Sequence, residues 1–341
     1  MLGALSAFET VSGLDARDVD LVVGTSAGSV IAGLLGCGMP VGAIVRHHQG
    51  APAADDPPID YHYNGTGGVL PPRPGWRPGS IKLVADGIRH PRRIPPIVAL
   101  SGLLPAGRGS LAPVRELVAR VARDAGVSTQ WPTHPRPWVV AADYRTGRRV
   151  VFGRETFGPA SLPEPSGDAG AGVDGPTRVI RRAPLADAVT ASCSIPAWYP
   201  PVVIDGVPYV DGGTISNASI DLLLRADVEQ AYVFVPMASV EIDRATTPVG
   251  RLERLVRRAI TKGVLADVAA LRAAGVRVCL VTPEPTDLAA MGVNLMNPAP
   301  RVQVLTTAQT TAAAQIGRQL NGRRGWSVAA TGEARARDSL A

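Results

Sequence analysis

The 341 residues predict an α/β fold, and three observations carry the prediction. Short apolar runs of strand length alternate along the chain with longer stretches of helical periodicity. One run, Asp20-Leu21-Val22-Val23, passes through Gly24-Thr25-Ser26-Ala27-Gly28-Ser29 straight into the apolar stretch from Val30 to Gly38, in the order strand, tight turn, helix. Hydrophobic residues make up 45% of the chain and aromatic residues only 4%, so Leu, Val, Ile and Ala must fill a core that this length is enough to enclose.

Taken in order, residues 3–13 place Ala4, Leu5, Phe8 and Val11 at helical spacing, with Gly13 as the stop. The strand, turn and helix around Ser26 follow. Residues 50–80 hold too many Pro and Gly for regular structure and read as an excursion or flap, with Tyr61 and Tyr63 as aromatic anchors. Residues 81–123 read as helical in pieces, with Ser110 as N-cap of a helix over 111–123. Two strands, Trp138–Ala142 and Arg148–Phe152, flank the turn from Asp143 to Gly147. A second Gly/Pro/Asp-rich loop covers 153–177, a helix lies around 184–191, and residues 202–210 form a hairpin that leads into Asp211-Gly212-Gly213. Strands at 231–235 and 276–281 bracket a helix over about 250–272, where Leu252, Leu255, Val256, Ala259 and Ile260 form an apolar stripe with Arg251, Arg254, Arg257 and Arg258 off it. A last helix spans about 299–318, and 321–341 reads as a polar tail. This organisation makes 1–320 one domain.

The formal charge is +6, nearly all from arginine, since Lys82 and Lys262 are the only lysines. That excess suits an anionic membrane surface, and equally well an arginine-rich chain that simply solvates its helix faces. No stretch interleaves basic and aromatic residues, and no zinc-finger spacing occurs, so a nucleic-acid partner is not expected. Cys37, Cys193 and Cys279 lie far apart without metal or redox spacing, as buried thiols of a reducing, cytoplasmic compartment would. Neither a membrane span nor a secretory leader is legible.

Gly24-Thr25-Ser26-Ala27-Gly28 fits G-x-S-x-G in its proper strand–turn–helix setting. Its glycines allow a cramped turn, and the following helix points its positive end at any anion formed there. A serine hydroxyl needs a proton acceptor before it can attack. All five histidines (His47, His48, His62, His90, His134) fall in the first 134 residues, against the Ser-acid-His order of an α/β-hydrolase triad. A carboxylate is the remaining base, and Asp211 is the best placed. A strand delivers it, and Gly212 and Gly213 would let another backbone segment, the nucleophile turn, come close. The same Asp-Gly-Gly also reads as a simple loop turn.

Three blocks in order, around Ser26, over residues 137–153 and over 186–213, resemble the patatin-like phospholipase family. The resemblance spans roughly residues 3–320. It implies a three-layer α/β/α fold with a central, mostly parallel sheet, Ser26 as nucleophile, Asp211 as general base and a lipid acyl-ester substrate cleaved through an acyl-enzyme. No metal or cofactor is implied. The family pattern also has a first strand and a glycine-rich oxyanion loop ahead of the helix that begins here near Gly3. The expectation is therefore that the natural start lies upstream. Ala27 N–H and the helix dipole are the oxyanion donors left, and losing one donor costs about 2.7–4 kcal/mol, roughly 100- to 1000-fold in rate. Two other readings stay open: a soluble thioesterase or small-ester hydrolase, and a catalytically impaired lipid-binding protein. A membrane-facing surface, if present, is expected at 94–105 beside Arg92, Arg93 and Arg108, a segment that equally reads as a buried helix. Oligomeric state is not legible.

Overall fold

The structure, a computed structural model, describes residues 1–57, 79–89, 99, 101–105, 107–127, 131–153, 178–180, 183–216, 218–241, 243, 247–292 and 297–321. The anchors Tyr61 and Tyr63, the histidines His62 and His90, Arg92 and Arg93, and nearly all of the 153–177 loop lie outside the described residues. So do 322–341 and most of 94–100.

Chain order gives α1 (Leu2–Ser12), β1 (Leu21–Thr25), α2 (Ala27–Gly36), α3 (Val41–Gln49), α4 (Ile81–Arg89) and α5 (Ala112–Asp124). Then come β2 (Arg136–Asp143), β3 (Arg149–Phe152), β4 (Arg178–Ile180), α6 (Leu185–Ser192), β5 (Val202–Ile204) and β6 (Val207–Asp211). Two 3₁₀ turns, Gly212–Thr214 and Ile220–Arg225, lead to β7 (Gln230–Phe234), α7 (Pro248–Ala273), β8 (Arg277–Val281), α8 (Pro285–Met291) and α9 (Arg301–Asn321). The fold is α/β, as the alternation predicts. Sequence periodicity passed over α3, β4, α8 and the second 3₁₀ turn, all short elements whose form is set by packing.

β2 organises the main sheet. On one side it pairs antiparallel with β3, which pairs parallel with β4. Its other side takes two strands end to end: β1 runs parallel along Arg136–Val140, and β6 runs antiparallel along Ala141–Asp143. The β5–β6 hairpin closes through Asp205 and Gly206, both at positive φ. β7 and β8 form a separate parallel pair. Between β1 and β7 the joint is made by side chains, not a backbone ladder: Phe8 of α1 lies 4.4 Å from Tyr232 and 6.2 Å from Phe234, ring to ring.

Alternation along β2 explains the layers. Val139 and Ala141 face α5 and α6, packing with Val118 and Val189. Trp138 and Val140 face the other way, onto Leu222 of the second 3₁₀ turn, and Ala142 meets Leu83 of α4. In the β7–β8 pair, Ala231, Val233 and Val278 face α7, while Cys279 and Val281 pack with α1 and α9. The outer edge of β8 does not lie bare. Gln319 and Gln315 of α9 each accept from and donate to one residue, Leu280 of β8 and Thr282 just after it, at 2.8–3.2 Å. That satisfies the unpaired edge groups with side-chain amides.

One expectation is inverted. The Leu252, Leu255 and Val256 side of α7 faces outward, and Arg254 and Arg257 turn inward. Arg257 is 1% exposed. Its guanidinium binds Glu253 at 2.6 Å and caps the carbonyls of Pro236 and Ala238 at 2.6 and 3.4 Å. Arg254 binds Asp243 and Glu253. The loop after β7 presents carbonyls that need donors, and a long arginine with five N–H groups meets that need better than leucine.

Candidate active site

The end-to-end arrangement on β2 brings together two residues far apart in the chain. Thr25, the last residue of β1, stands opposite Val140, and Asp211, the last of β6, stands opposite Ala141. One strand step, about 3.3 Å, separates those positions. The chain therefore turns out of the sheet at both carboxyl ends at nearly the same point.

Ser26 occupies the turn with φ 55° and ψ −128°, a strained conformation for a residue with a Cβ. Gly24 makes the turn possible: a Cβ there would lie 2.3 Å from the Gly28 carbonyl oxygen. Gly28 has no such duty, since its Cβ would make only ordinary contact with the Met1 side chain at 3.7 Å. The Ser26 backbone N–H donates to Ser192 Oγ at 2.9 Å, and that hydroxyl donates to the Val140 carbonyl at 2.6 Å. On the far side, Ser29 N–H and Ser29 Oγ both donate to the Ser26 carbonyl, at 2.8 and 2.6 Å. The elbow is thus pinned from α6, β2 and α2 together. These serines were missed by sequence reasoning; the only trace was the Ser-Cys-Ser run at 192–194, whose burial no local pattern reveals.

Asp211 is 5% exposed. Its carboxylate accepts a hydrogen bond from Gly213 N–H at 2.7 Å, and the Ser26 hydroxyl lies near it. Burial pushes the carboxyl up to about 6, and the Ser26 hydroxyl and Gly213 N–H pull against that rise. The glycine pair works differently from expectation. Gly212 lets the chain pass close over β2, where a Cβ would sit 2.7 Å from the Val140 carbonyl oxygen, and not over the nucleophile turn. Gly213 offers its N–H to the carboxylate, and a Cβ there would come within 3.0 Å of Asp211 Oδ1. β2 is the neighbour because β6 must cross its ladder to leave the sheet.

Ala27 is exposed and opens α2. The first intrahelical bond is from Ser29, so the N–H groups of Ala27 and Gly28 precede the ladder and face the turn's exterior unspent by it. Cys193, next to this cluster, is a buried thiol pushed up to about 12 by burial and by the nearby Asp211 charge. Among the described residues no histidine hydrogen-bonds Ser26 or Asp211. His47 meets the Pro57 carbonyl, and His134 is exposed before β2. Nor do those residues contain a group of three or more His, Cys, Asp or Glu able to hold a metal ion. No helix among them is long and apolar enough to cross a membrane.

A serine held on a strained strand–helix elbow beside a buried carboxylate is an arrangement suited to acyl transfer. The chain belongs to the patatin-like phospholipase family, whose model matches residues 1–224. Members of that family are generally lipid acyl hydrolases. No curated protein matches the chain significantly.

Proposed function

We propose that this protein is a serine acyl hydrolase that cleaves fatty acyl esters of a phospholipid or related lipid, with Ser26 as nucleophile and Asp211 as the only protein base. The observation that supports this most is the meeting of the turn that carries Ser26 with a buried carboxylate at the end of β6, Asp211, whose carboxyl is pushed up to about 6. A base of that strength is ionised at pH 7 and still basic enough to accept a proton as the hydroxyl attacks.

In this reading Ser26 Oγ bonds to the acyl carbon while its proton passes to Asp211. The tetrahedral oxyanion is met by Ala27 N–H, with Gly28 N–H and the positive end of α2 beside it. Collapse breaks the ester bond, and the leaving alcohol takes the proton from Asp211. Water then attacks the acyl-enzyme, gives its proton to Asp211 and releases the fatty acid as Ser26 recovers its own. The reaction as written draws on no metal or cofactor. The hydrolase domain is assigned to residues 1–320, an assignment supported by the packing of α9 on α1, where Gln309 donates to Ser6 Oγ at 3.2 Å. A cytoplasmic setting goes with the three free thiols Cys37, Cys193 and Cys279.

The test is hydrolysis of short- and long-chain esters, together with labelling by a fluorophosphonate. Ser26→Ala and Asp211→Asn should each lower kcat/KM by at least about 1000-fold, with the label on Ser26. Unlabelled wild-type protein with no esterase activity would favour a lipid-binding role instead. Activity on soluble thioesters alone would favour a thioesterase.

A further inference from the structure

The outward side of α7 is apolar where a solvated helix should be polar. Leu252, Leu255 and Val256 are 64, 60 and 50% exposed. With Ala259 they fall on one helical face. A contiguous apolar stripe on a surface helix marks an interaction site. Its charged surroundings are mainly positive, with Glu241 beside Val240 the exposed acid among the described residues there. Arg251, Arg258 and Lys262 are exposed on the same side. The nearby acids Asp243 and Glu253 are taken up by the inward-turned Arg254 and Arg257. Asp267, further along the helix, is half-buried.

Between the helix and the loop after β7 lies an open depression of about 460 Å³, lined by Ser239, Val240, Arg258, Thr261, Lys262 and Leu265. The hydroxyls of Ser239 and Thr261 are committed to backbone carbonyls, so the two cations supply its polarity.

We infer that this face docks on an anionic lipid bilayer. Leu252, Leu255 and Val256 enter the boundary of the acyl chains, while Arg251, Arg258 and Lys262 meet lipid phosphates, two of them from the depression. Charge selects this occupant over a second copy of the chain. A two-fold contact through the same face would set three cations against their own equivalents, whereas an anionic bilayer brings the opposite sign. The inference extends the proposed function to how substrate is reached, and rests on it only for what is cleaved after docking.

Flotation of the full chain tests it, with vesicles of phosphatidylcholine alone and of phosphatidylcholine mixed with phosphatidylglycerol. Wild type should float with the mixed vesicles and not with the neutral ones. The exposed-residue variants Leu252→Ser/Leu255→Ser and Arg258→Gln/Lys262→Gln should each lose about tenfold or more in partitioning, at about fivefold per cation removed. Removing two cations elsewhere, Arg108→Gln/Arg123→Gln, should change little. The inference is overturned if wild type stays behind, if the α7 variants float as wild type does, or if the control variant loses as much. Light scattering that shows a wild-type dimer made monomeric by Leu252→Ser/Leu255→Ser would overturn it too. Hydrolysis of a water-soluble short-chain ester, read on the same proteins, keeps the two proposals apart. The α7 variants should retain it, and its absence in wild type would sink the catalytic reading while flotation still decides the docking.

Discussion

Ser26 carries a positive φ that most L-residues avoid, and the surrounding contacts show how that strain is held. Its N–H is bound by Ser192 and its carbonyl by Ser29, so neither peptide of the elbow is free to relax. Strain of this kind persists only where neighbours over-determine it, and it keeps the hydroxyl clear of the sheet. The two glycines of the motif share this task unequally. Gly24→Ala would drive a methyl against the Gly28 carbonyl and should destabilise the protein by about 2 kcal/mol or more. Gly28→Ala should stay within about 0.5 kcal/mol of wild type, because its methyl would meet only a flexible thioether. Urea denaturation of both variants checks the contrast, and equal losses would refute the geometry of the turn.

At the level of elements, α7 shows how backbone needs can overrule hydrophobic patterning. Five apolar residues at helical spacing read as a core stripe, yet the helix is rotated so that Arg257 can reach the carbonyls of Pro236 and Ala238. Those carbonyls lie just beyond β7 and would otherwise lack this donor. The Val264, Val268 and Leu271 side closes the core in the second half of the helix instead. It follows that Arg257→Met should cost about 2–4 kcal/mol, since it leaves two carbonyls without their donor and Glu253 with one arginine instead of two. Leu255→Ser, for all its loss of apolar surface, should change stability by less than about 0.5 kcal/mol. Thermal melts of the two variants would show the order, and a reversed order would mean that the helix sits the other way round. The sequence offered no sign of this rotation, because the carbonyls that demand it belong to the irregular connection from β7, which shows no periodicity.

For the molecule as a whole, Asp211 links stability to pH in opposition to the proposed activity. Its carboxyl titrates at about 6 in the fold against 3.8 when unperturbed. The folded state therefore holds the proton more tightly than the unfolded chain between those values. This group's contribution to stability is full below about pH 4, is lost as pH rises to about 6 and is flat above. A rise of that size corresponds to on the order of 3 kcal/mol. Asp211→Asn removes the buried charge, so its stability relative to wild type should climb between pH 4 and 6 and then level off. Hydrolysis needs the ionised base, so wild-type kcat/KM should rise through the same window. Paired chemical denaturation and rate profiles across that range check both, and a stability difference independent of pH would show that the carboxyl is not raised.

Local rules alone determined much of this protein. Alternating short and long apolar segments defined the α/β class, and the Gly-x-Ser-x-Gly turn between a strand and a helix proposed Ser26 as nucleophile, because both signals depend only on neighbours in sequence. Family resemblance, resting on blocks of residues, singled out Asp211 from a triplet that by itself was equally a loop turn. Only the tertiary structure decided that β1 and β6 end against adjacent positions of β2, which brings the turn carrying Ser26 next to the strand end carrying Asp211. It alone supplied Ser192 from α6 and turned the leucines of α7 outward. Each of those outcomes depends on which distant backbone groups must be satisfied, and pairing between remote segments leaves no periodicity in the chain.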